Sequence, residues 1–221
     1  MNRKCTVSPP NIQNHTFTTR REKTMKTAPA ERLIQVEPLR TAEDIQEMKL
    51  AIKRGNKAKP KRAALAERDL FLFTFGINTG LRVSDIVRLT VQDLKGKDAM
   101  VLREGKTAKP RRVLLAGLQE EIERYIEGKD SEAYLFPSQK GDKPMTTTQV
   151  YRMLRDAGDW IGRHDIGTHT MRKTFGYHYY RHTKDIMKLA DILNHSAPSI
   201  TKRYIGITQD EIQESLEGFK L

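Results

Sequence analysis

The sequence GTHTMRKTF occupies residues 167–175, in the last third of the chain. Thr168 is a favourable N-cap residue, so this sequence predicts a helix that begins there. His169 and Arg172, three residues apart, would then share one face of the first turn. The unpaired N–H groups and the positive dipole at a helix N-terminus attract anions. An imidazole and a guanidinium at that end therefore indicate a phosphate-binding site.

The residues that follow predict two more helices and two more reactive groups. Apolar positions over residues 184–193 indicate a helix that ends at Asn194, which places His195 at the helix exit. Ser196 is a favourable N-cap for a short helix that carries Tyr204, nine residues after His195. A single tyrosine is most often a packed aromatic residue, so the meaning of Tyr204 depends on its neighbours.

Composition narrows the class of partner. The 221 residues include 40 Lys and Arg against 28 Asp and Glu, and the net charge of +12 indicates a polyanionic partner, first of all nucleic acid. An excess of solvated lysines is the alternative. The single cysteine, Cys5, excludes an internal disulfide and a multi-cysteine zinc site and favours a reducing, cytoplasmic location. No signal peptide and no apolar run of membrane-spanning length is visible, so we expect no membrane partner.

The chain is expected to consist of an arm and one folded domain. Residues 1–37 are rich in Ser, Thr, Pro, Asn and basic residues without apolar periodicity, which predicts a flexible basic N-terminal arm. That arm is either a DNA-contacting tail or a leader without a role. The folded domain is expected to span residues 38–221 and to include a tail helix over residues 208–218, which opens with a capping box at Thr208.

Hydrophobic periodicity predicts a mainly helical domain with one small sheet. Residues 98–103 and 111–115 are expected to form an antiparallel hairpin with a basic tip. The second half of a helix over residues 63–78 is apolar on nearly every side and must be buried, and Gly80 is its natural left-handed cap. The fold class is therefore α+β, mainly α with a small antiparallel β-sheet. The remaining helices are predicted over residues 41–52, 81–89, 118–126 and 146–161.

Basic residues are candidate DNA contacts. A polar loop is expected over residues 53–62, and its charges either follow a phosphate backbone or are simply solvated. The complete set of candidate contacts lies in this loop, beside the hairpin and in the last third of the chain: Lys57, Lys59, Lys61, Arg62, Lys109, Arg111, Lys173, Lys202 and Arg203.

Several other charged residues can be interpreted as either catalytic or structural. Arg82 has Asp85 three residues further on, so that carboxylate either preorganises the guanidinium for an oxyanion or simply pairs with it. Lys106 follows the turn glycine and either reaches into a groove or keeps the turn soluble. His178 and His182 have ligand-like spacing, but no nearby Glu completes a zinc-protease motif, so we expect no metal site.

Together these residues resemble a known catalytic set. The chain matches, in order and approximate spacing, the catalytic residues of the tyrosine recombinase (phage integrase) family, with Arg82 after Thr79-Gly80-Leu81, Lys106 in a hairpin, His169-x-x-Arg172, His195 and Tyr204. The resemblance covers roughly residues 39–221 and implies the DNA breaking-rejoining fold of a site-specific recombinase or integrase. Two departures are visible. Only a short arm precedes the domain, where the family usually has a core-binding domain, and Asn194 stands where it commonly has Gly.

Phosphodiester cleavage requires that charged oxygens be neutralised, that the attacking group be activated and that the leaving group be protonated. Arg82 and Arg172 are expected to hold the two non-bridging oxygens. Tyr204 is the expected nucleophile, and because a phenol has an ordinary pKa near ~10, it needs a base or a strongly cationic site. His169 is the candidate proton acceptor.

The other members of the set have supporting roles. His195 is expected to donate a hydrogen bond to the phosphate, and Asp85 to position its neighbours. By similarity to the family, Lys106 protonates the departing 5′ oxygen, and the product is a covalent 3′-phosphotyrosyl intermediate. Such an exchange needs neither ATP nor a metal, so no cofactor is expected.

The resemblance also implies partners. Double-stranded DNA is the expected substrate, and the chain is expected to be a monomer free in solution and a tetramer on DNA, with accessory DNA-bending proteins as candidate partners. The tail helix over residues 208–218 either docks on a neighbouring protomer or packs on its own domain. Two alternative functions share the fold: a type IB-like topoisomerase or nicking-closing enzyme, and a non-catalytic DNA-binding regulator.

Overall fold

The computed structural model describes residues 35–57, 60–105, 108–139, 142–207, 214 and 216–220, and for residues 55–57 and 60–64 it describes the backbone alone. Within these residues the predicted fold class is confirmed, because helices surround one small antiparallel sheet. The helices are α1 (Ala42–Lys57), α2 (Pro60–Thr79), α3 (Val83–Ile86), α4 (Gln119–Ile126), α5 (Thr147–Trp160), α6 (Thr170–Thr183), α7 (Ile186–Ile192) and α8 (Pro198–Ile205), and the strands are β1 (Ala99–Arg103) and β2 (Pro110–Leu114).

Helix α2 is central to the hydrophobic core. Its second half buries Phe73 and Phe75 completely, which confirms the prediction from its apolar sequence. Phe71 stacks on Tyr125 of α4 with ring centroids 4.2 Å apart, and Phe136 lies 5.8 Å from Phe71. The Tyr125 hydroxyl donates to the backbone carbonyl of Leu135 at 2.8 Å, so the polar atom of this buried aromatic cluster has a hydrogen-bond partner.

The predicted basic loop over residues 53–62 is wrong, because most of it is helical. Helix α1 continues to Lys57 and α2 begins at Pro60. Proline is tolerated at the first position of a helix, where its missing N–H has no intrahelical partner, so Pro60 opens a helix instead of marking a loop. Lys59 lies outside the described residues, and no side chain is described for Lys57, Lys61 or Arg62.

Two helix starts differ from the predictions by about one residue. Helix α6 begins at Thr170 with His169 as its N-cap residue, in place of Thr168. Helix α8 begins at Pro198 after Ala197, in place of Ser196. The N-cap side chain of α6 makes no capping hydrogen bond, and the Thr170 hydroxyl accepts from the backbone N–H of Gly167, before the helix, at 3.0 Å. The segment predicted as a helix over residues 81–89 is helical over Val83–Ile86 only.

The hairpin has the predicted topology. Strands β1 and β2 pair antiparallel with Val101 opposite Arg112. Beyond the last pair, the backbone N–H of Glu104 donates to the carbonyl of Lys109 at 3.1 Å, and the Ala108 N–H donates to the Glu104 carbonyl at 2.8 Å. These bonds fix the base of the turn that carries residue 106, which itself lies outside the described residues.

Gly80 allows two helices to approach closely. Its φ of +60° lies in the left-handed region, as predicted for a helix cap, and a Cβ there would lie 2.3 Å from the Phe175 ring of α6. The Gly80 carbonyl accepts from Arg172 Nη1 at 2.6 Å. The end of α2 is therefore held against the first turns of α6.

Residues 36–40, the entry segment, cross the surface of α6 before α1 begins. The N–H of the fully buried Leu39 donates to Thr174 Oγ1 at 2.9 Å, and the Leu39 carbonyl lies 2.9 Å from His178 Nε2. Arg40 Nη2 donates to the carbonyl of Gly206, directly after α8, at 2.9 Å. The entry segment therefore links α6 to the end of α8.

Two features are absent from the described part of the chain: a membrane-spanning helix and a cluster of metal-binding side chains. None of its helices combines the length and the apolar character that crossing a bilayer requires. No group of three or more His, Cys, Asp or Glu side chains there is arranged to hold a metal ion.

Candidate active site

Arg172 joins three segments of the domain. It lies in the first turn of α6 with 2 % of its surface exposed. Its Nη1 donates to Gly80 O and its Nη2 to Leu193 O, each at 2.6 Å. Burial lowers the pKa of Arg172. Since Leu193 precedes the turn at Asn194, one guanidinium fixes the end of α2, the start of α6 and the exit of α7.

Arg82 immediately precedes α3, in an extended conformation. Its Nη1 lies 2.5 Å from Oε2 of Glu104, whose side chain is completely buried, while 16 % of the Arg82 side chain remains exposed. The prediction that Asp85 orients or pairs with Arg82 is therefore wrong. The orienting carboxylate comes from the end of β1, because the hairpin folds back on the α2–α3 junction.

Asp85 instead supports the hairpin. It is 3 % exposed, and its Oδ1 accepts from Arg88 Nη2 at 2.7 Å and from the backbone N–H of Gly105 at 3.0 Å. Because Gly105 directly precedes Lys106, the carboxylate fixes the backbone at the start of the turn. The side chain of Lys106 lies outside the described residues, so its role stays a prediction.

Tyr204, on α8, lies among the two histidines and Arg172. Its hydroxyl oxygen is 3.2 Å from His169 Nδ1, and its ring centroid is 5.1 Å from that of His195. Burial raises the pKa of Tyr204 to about 12, against the opposing charges of Arg172 and Arg82 and a hydrogen bond from Arg172. The phenol is therefore neutral at physiological pH and needs a proton acceptor, and His169 Nδ1 has the required position.

His195 is held by a residue of the same helix as Tyr204. Its Nδ1 lies 2.9 Å from the Thr201 hydroxyl, and Thr201 is fully buried in α8. Burial, followed by the charges of Arg172 and Arg82, lowers the pKa of His195 to about 4. The imidazole is therefore neutral near pH 7, with one donor and one acceptor nitrogen.

Several buried polar atoms beside this cluster have no hydrogen-bond partner among the described residues: Arg82 Nη1, Asn194 Nδ2 and Asp85 Oδ2. The contact of Arg82 with Glu104 is thus an ion pair without hydrogen-bond alignment. Unsatisfied buried donors and acceptors are rare because each costs about 1–3 kcal/mol. Asn194 has a left-handed backbone conformation, with a φ of 49°.

The prediction that Arg111 and Lys173 contact DNA is wrong for this conformation, because both are buried to 6 % exposure. Arg111 Nη2 donates to the Thr79 carbonyl at 2.7 Å, and burial lowers its pKa to about 10. The Lys173 ammonium lies 5.4 Å from the centroid of the Tyr204 ring, and burial lowers its pKa. Both charges belong to the interior of the site. The candidate contacts with described, exposed side chains are Lys109, Lys202 and Arg203.

Glu104 is the functional candidate that sequence reasoning missed. It was counted as part of a basic turn, but its carboxylate is buried among arginines. The available signal was its position directly after β1, in a segment where every other charge is positive. Thr201, the partner of His195, carried no distinguishing signal.

Residues 41–211 match the phage integrase family. This range covers more than half of the chain and contains the two arginines, the two histidines and the tyrosine described above. The chain belongs to the phage integrase family. The resemblance inferred from the order of these residues is thereby confirmed.

Curated relatives of this phage integrase family protein include recombinases from bacteria and archaea. It is 47% identical over 185 residues to the probable integrase/recombinase YoeC of Bacillus subtilis, covering 83% of this chain and 97% of YoeC. It is 36% identical over 150 residues to a tyrosine recombinase of Pseudothermotoga lettingae, covering 66% of this chain and 51% of that protein. The chain thus spans nearly all of YoeC but only about half the length of the Pseudothermotoga relative.

Solved structures of tyrosine recombinases share the fold of this family member. XerH in a post-cleavage complex with its difH substrate aligns with a TM-score of 0.62 at 18% identity, covering 84% of this chain and 52% of XerH. A lambda integrase dimer bound to a core site aligns with a TM-score of 0.60 at 17% identity, covering 82% of this chain and 52% of that chain. The predicted catalytic-domain-like fold is confirmed.

Proposed function

We propose that this protein is a site-specific recombinase or integrase that cleaves and rejoins duplex DNA through a covalent 3′-phosphotyrosyl intermediate on Tyr204. One observation carries the proposal: the Tyr204 hydroxyl lies 3.2 Å from a histidine nitrogen, beside the buried guanidinium of Arg172. A tyrosine with a purely structural role does not require a proton acceptor, nor the positive charges of Arg172 and Arg82, beside its hydroxyl. The names of the relatives and the DNA complexes of the structural neighbours support the same reaction.

The two arginines would neutralise the scissile phosphate. Negative charge increases on the non-bridging oxygens as the pentacoordinate transition state forms, and fixed donors lower its energy without reorganising at the moment of reaction. Arg172 is immobilised by two backbone carbonyls, and Arg82 by Glu104. Asn194 Nδ2, which has no hydrogen-bond partner among the described residues, is a donor that a phosphate would satisfy.

The proton transfers can be written in full. The Tyr204 oxygen attacks phosphorus, its proton passes to His169 Nδ1, and the bond from phosphorus to the 5′ oxygen breaks. That oxygen leaves as a 5′-hydroxyl after taking a proton, which by resemblance to the family comes from Lys106. Neutral His195, held by Thr201, would donate a hydrogen bond to the phosphate. Asp85 would position the hairpin through Gly105.

Rejoining is the reverse reaction with another strand. A 5′-hydroxyl attacks the phosphotyrosine, so the energy of the broken bond is retained and no nucleotide cofactor is required. Such an exchange requires more than one active site on the DNA, which supports a tetramer on duplex DNA, formed through the C-terminal tail. DNA-bending accessory proteins are further candidate partners. We place the reaction in the cytoplasm.

A covalent adduct tests this function directly. The protein is incubated with a pool of nicked duplexes of randomised sequence, in which the short fragment that carries the new 5′-hydroxyl diffuses away, so that the intermediate is trapped. Mass spectrometry of the digested adduct is expected to find a nucleotide on the peptide that contains Tyr204. The proposal is wrong if no adduct forms, or if the adduct maps to another residue. Relaxation of a supercoiled plasmid without an enriched site would instead identify a topoisomerase.

DNA affinity is expected to fall steeply with salt, because phosphate contacts release counterions. Lys202→Gln combined with Arg203→Gln is expected to reduce the slope of log affinity against log salt by about 1 to 2. Both side chains are exposed on α8. Fluorescence anisotropy between low and moderate salt measures the slope. Lys173→Gln is the control and is expected to leave the slope unchanged, because this ammonium is buried. A flat wild-type salt profile would contradict a DNA partner.

A further inference from the structure

One buried carboxylate lies between the buried guanidiniums of Arg111 and Arg172 and the partly exposed guanidinium of Arg82. Oε2 of Glu104 is 2.5 Å from Arg82 Nη1, and its Oε1 is 3.6 Å from Arg111 Nη1 and 4.0 Å from Arg172 Nη1. The Glu104 side chain has no exposed surface, and those of Arg111 and Arg172 are 6% and 3% exposed. A contact shared in this way couples the two proposed phosphate-binding arginines to a single group.

The Glu104 carboxylate offsets the repulsion among the three positive charges around it. Three guanidiniums repel one another, and burial weakens the screening by water. The pKa of Arg111 is lowered to about 10 by burial and by the charge of Arg172, and Glu104 opposes that change. Asp85 also favours the charged form of Arg172 but directs its hydrogen bonds to Arg88 and Gly105. Glu104 therefore supplies the negative charge at the centre of the arginine cluster.

The carboxylate is also placed rigidly. The backbone N–H of Glu104 donates to Lys109 O at 3.1 Å, and its carbonyl accepts from Ala108 N at 2.8 Å. The residue is thus locked on both sides by the base of the hairpin. It is also two residues before Lys106, so the position of the hairpin turn and the position of Arg82 depend on the same short segment.

We propose that Glu104 is a positioning residue, which holds Arg82 and Arg172 in the geometry that receives the two non-bridging oxygens of the scissile phosphate. Arg111 fixes this carboxylate from the opposite side, since its own nitrogens are anchored on Thr79 O and Gly80 O. The inference rests on the proposed function. It assigns no contact with DNA to Glu104, which acts only through the arginines.

A purely structural role is the competing explanation. Glu104 could serve only to neutralise Arg111, and its removal would then loosen the whole domain. Two comparisons distinguish these roles. A combined Glu104→Gln and Arg111→Gln variant removes both charges of the pair and so relieves the electrostatic imbalance, but it leaves Arg82 without its carboxylate. In a substrate with a methylphosphonate at the scissile position, a methyl group replaces one charged non-bridging oxygen. Its cleavage therefore depends less on the arginines.

The experiment measures single-turnover adduct formation on a nicked duplex carrying the cleavage site that the wild-type protein selects. Glu104→Gln is expected to slow cleavage of the phosphodiester by about 100-fold, the effect of losing one well-placed oxyanion donor, with DNA affinity within about threefold of wild type. On the methylphosphonate the loss is expected to be less than about tenfold. The combined variant is expected to cleave as slowly as Glu104→Gln.

Three results would overturn the inference: a Glu104→Gln rate within about threefold of wild type, an equal loss on both substrates, or a combined variant that recovers its rate. Glu120→Gln, on the exposed surface of α4, is the matched control and is expected to match wild type. If Glu104→Gln does not fold, the combined variant alone decides between the two roles. A wild-type protein that forms no adduct would contradict the proposed function itself and is distinct from all of these outcomes.

Discussion

Tyr204→Phe is expected to abolish the covalent DNA adduct while the protein still folds and still binds DNA. Phenylalanine fills the same space in α8, so the packing of the ring against His195 is kept. The change removes only the hydroxyl, which contacts His169 and Arg172. Because that oxygen is the atom proposed to form the bond to phosphorus, no other group in the site replaces it. Denaturing gel electrophoresis of the trapping reaction measures the adduct.

Tyr180→Phe is the matched control for this loss. Tyr180 lies on α6, and the Lys184 ammonium lies 5.6 Å from the centroid of its ring. We expect it to form adduct at the wild-type rate. Adduct formation by Tyr204→Phe would show that another residue attacks the phosphate, and α8 would then have no catalytic part. A loss in both variants would indicate a general effect of removing tyrosine hydroxyls.

Arg172→Ala is expected to reduce cleavage by about a thousandfold or more and also to destabilise the fold. The rate falls because a fixed donor to the transition state is lost. Stability falls because Leu193 O loses its buried partner, at roughly 1–3 kcal/mol, while Gly80 O keeps its bond from Arg111 at 3.2 Å. For a domain of this size, that cost corresponds to a melting temperature lower by about 5 °C. Single-turnover cleavage at low temperature and a thermal melt measure the two effects.

Arg82→Ala separates catalysis from stability. Arg82 makes an ion pair with Glu104 and is partly exposed, and no backbone carbonyl depends on it in the described part of the chain. Its loss is expected to reduce cleavage by about a hundredfold to a thousandfold, with a smaller change in melting temperature than in Arg172→Ala. DNA binding is expected to persist in both variants. Near-normal cleavage by either would contradict the assignment of the arginines to the phosphate oxygens.

The identity of most site residues could be predicted from the sequence, because their order along the chain is characteristic. Arg172 and Tyr204 lie on helices α6 and α8, and His169 and His195 lie just before them; apolar periodicity and capping residues predict those helices. Their contacts depend on tertiary structure. The predicted partner of Arg82 was Asp85, three residues away, because local spacing favours close neighbours. The observed partner is Glu104, and only the folding of the hairpin onto the α2–α3 junction determines that contact.

Burial of charge is what sequence patterns predict least well. Arg111 and Lys173 were assigned to DNA because exposed positions are the usual place for basic residues. Arg111 is buried where it donates to the carbonyls of Thr79 and Gly80 at the end of α2, and Lys173 is buried on α6 near the ring of Tyr204. The boundary at Pro60 was missed for a related reason, since a proline indicates a loop and a first helical position equally well.

The entry segment has a practical consequence for the boundaries of shortened proteins. A variant that starts at the first helix would lack Leu39, whose N–H and carbonyl bond to α6, and Arg40, which holds Gly206 two residues after Tyr204. Such a truncation would lack a tether at the far end of the tyrosine helix while every assigned catalytic side chain remained. Expression boundaries chosen from helix limits alone would therefore remove contacts that hold α6 and the end of α8, and a start before residue 35 keeps them.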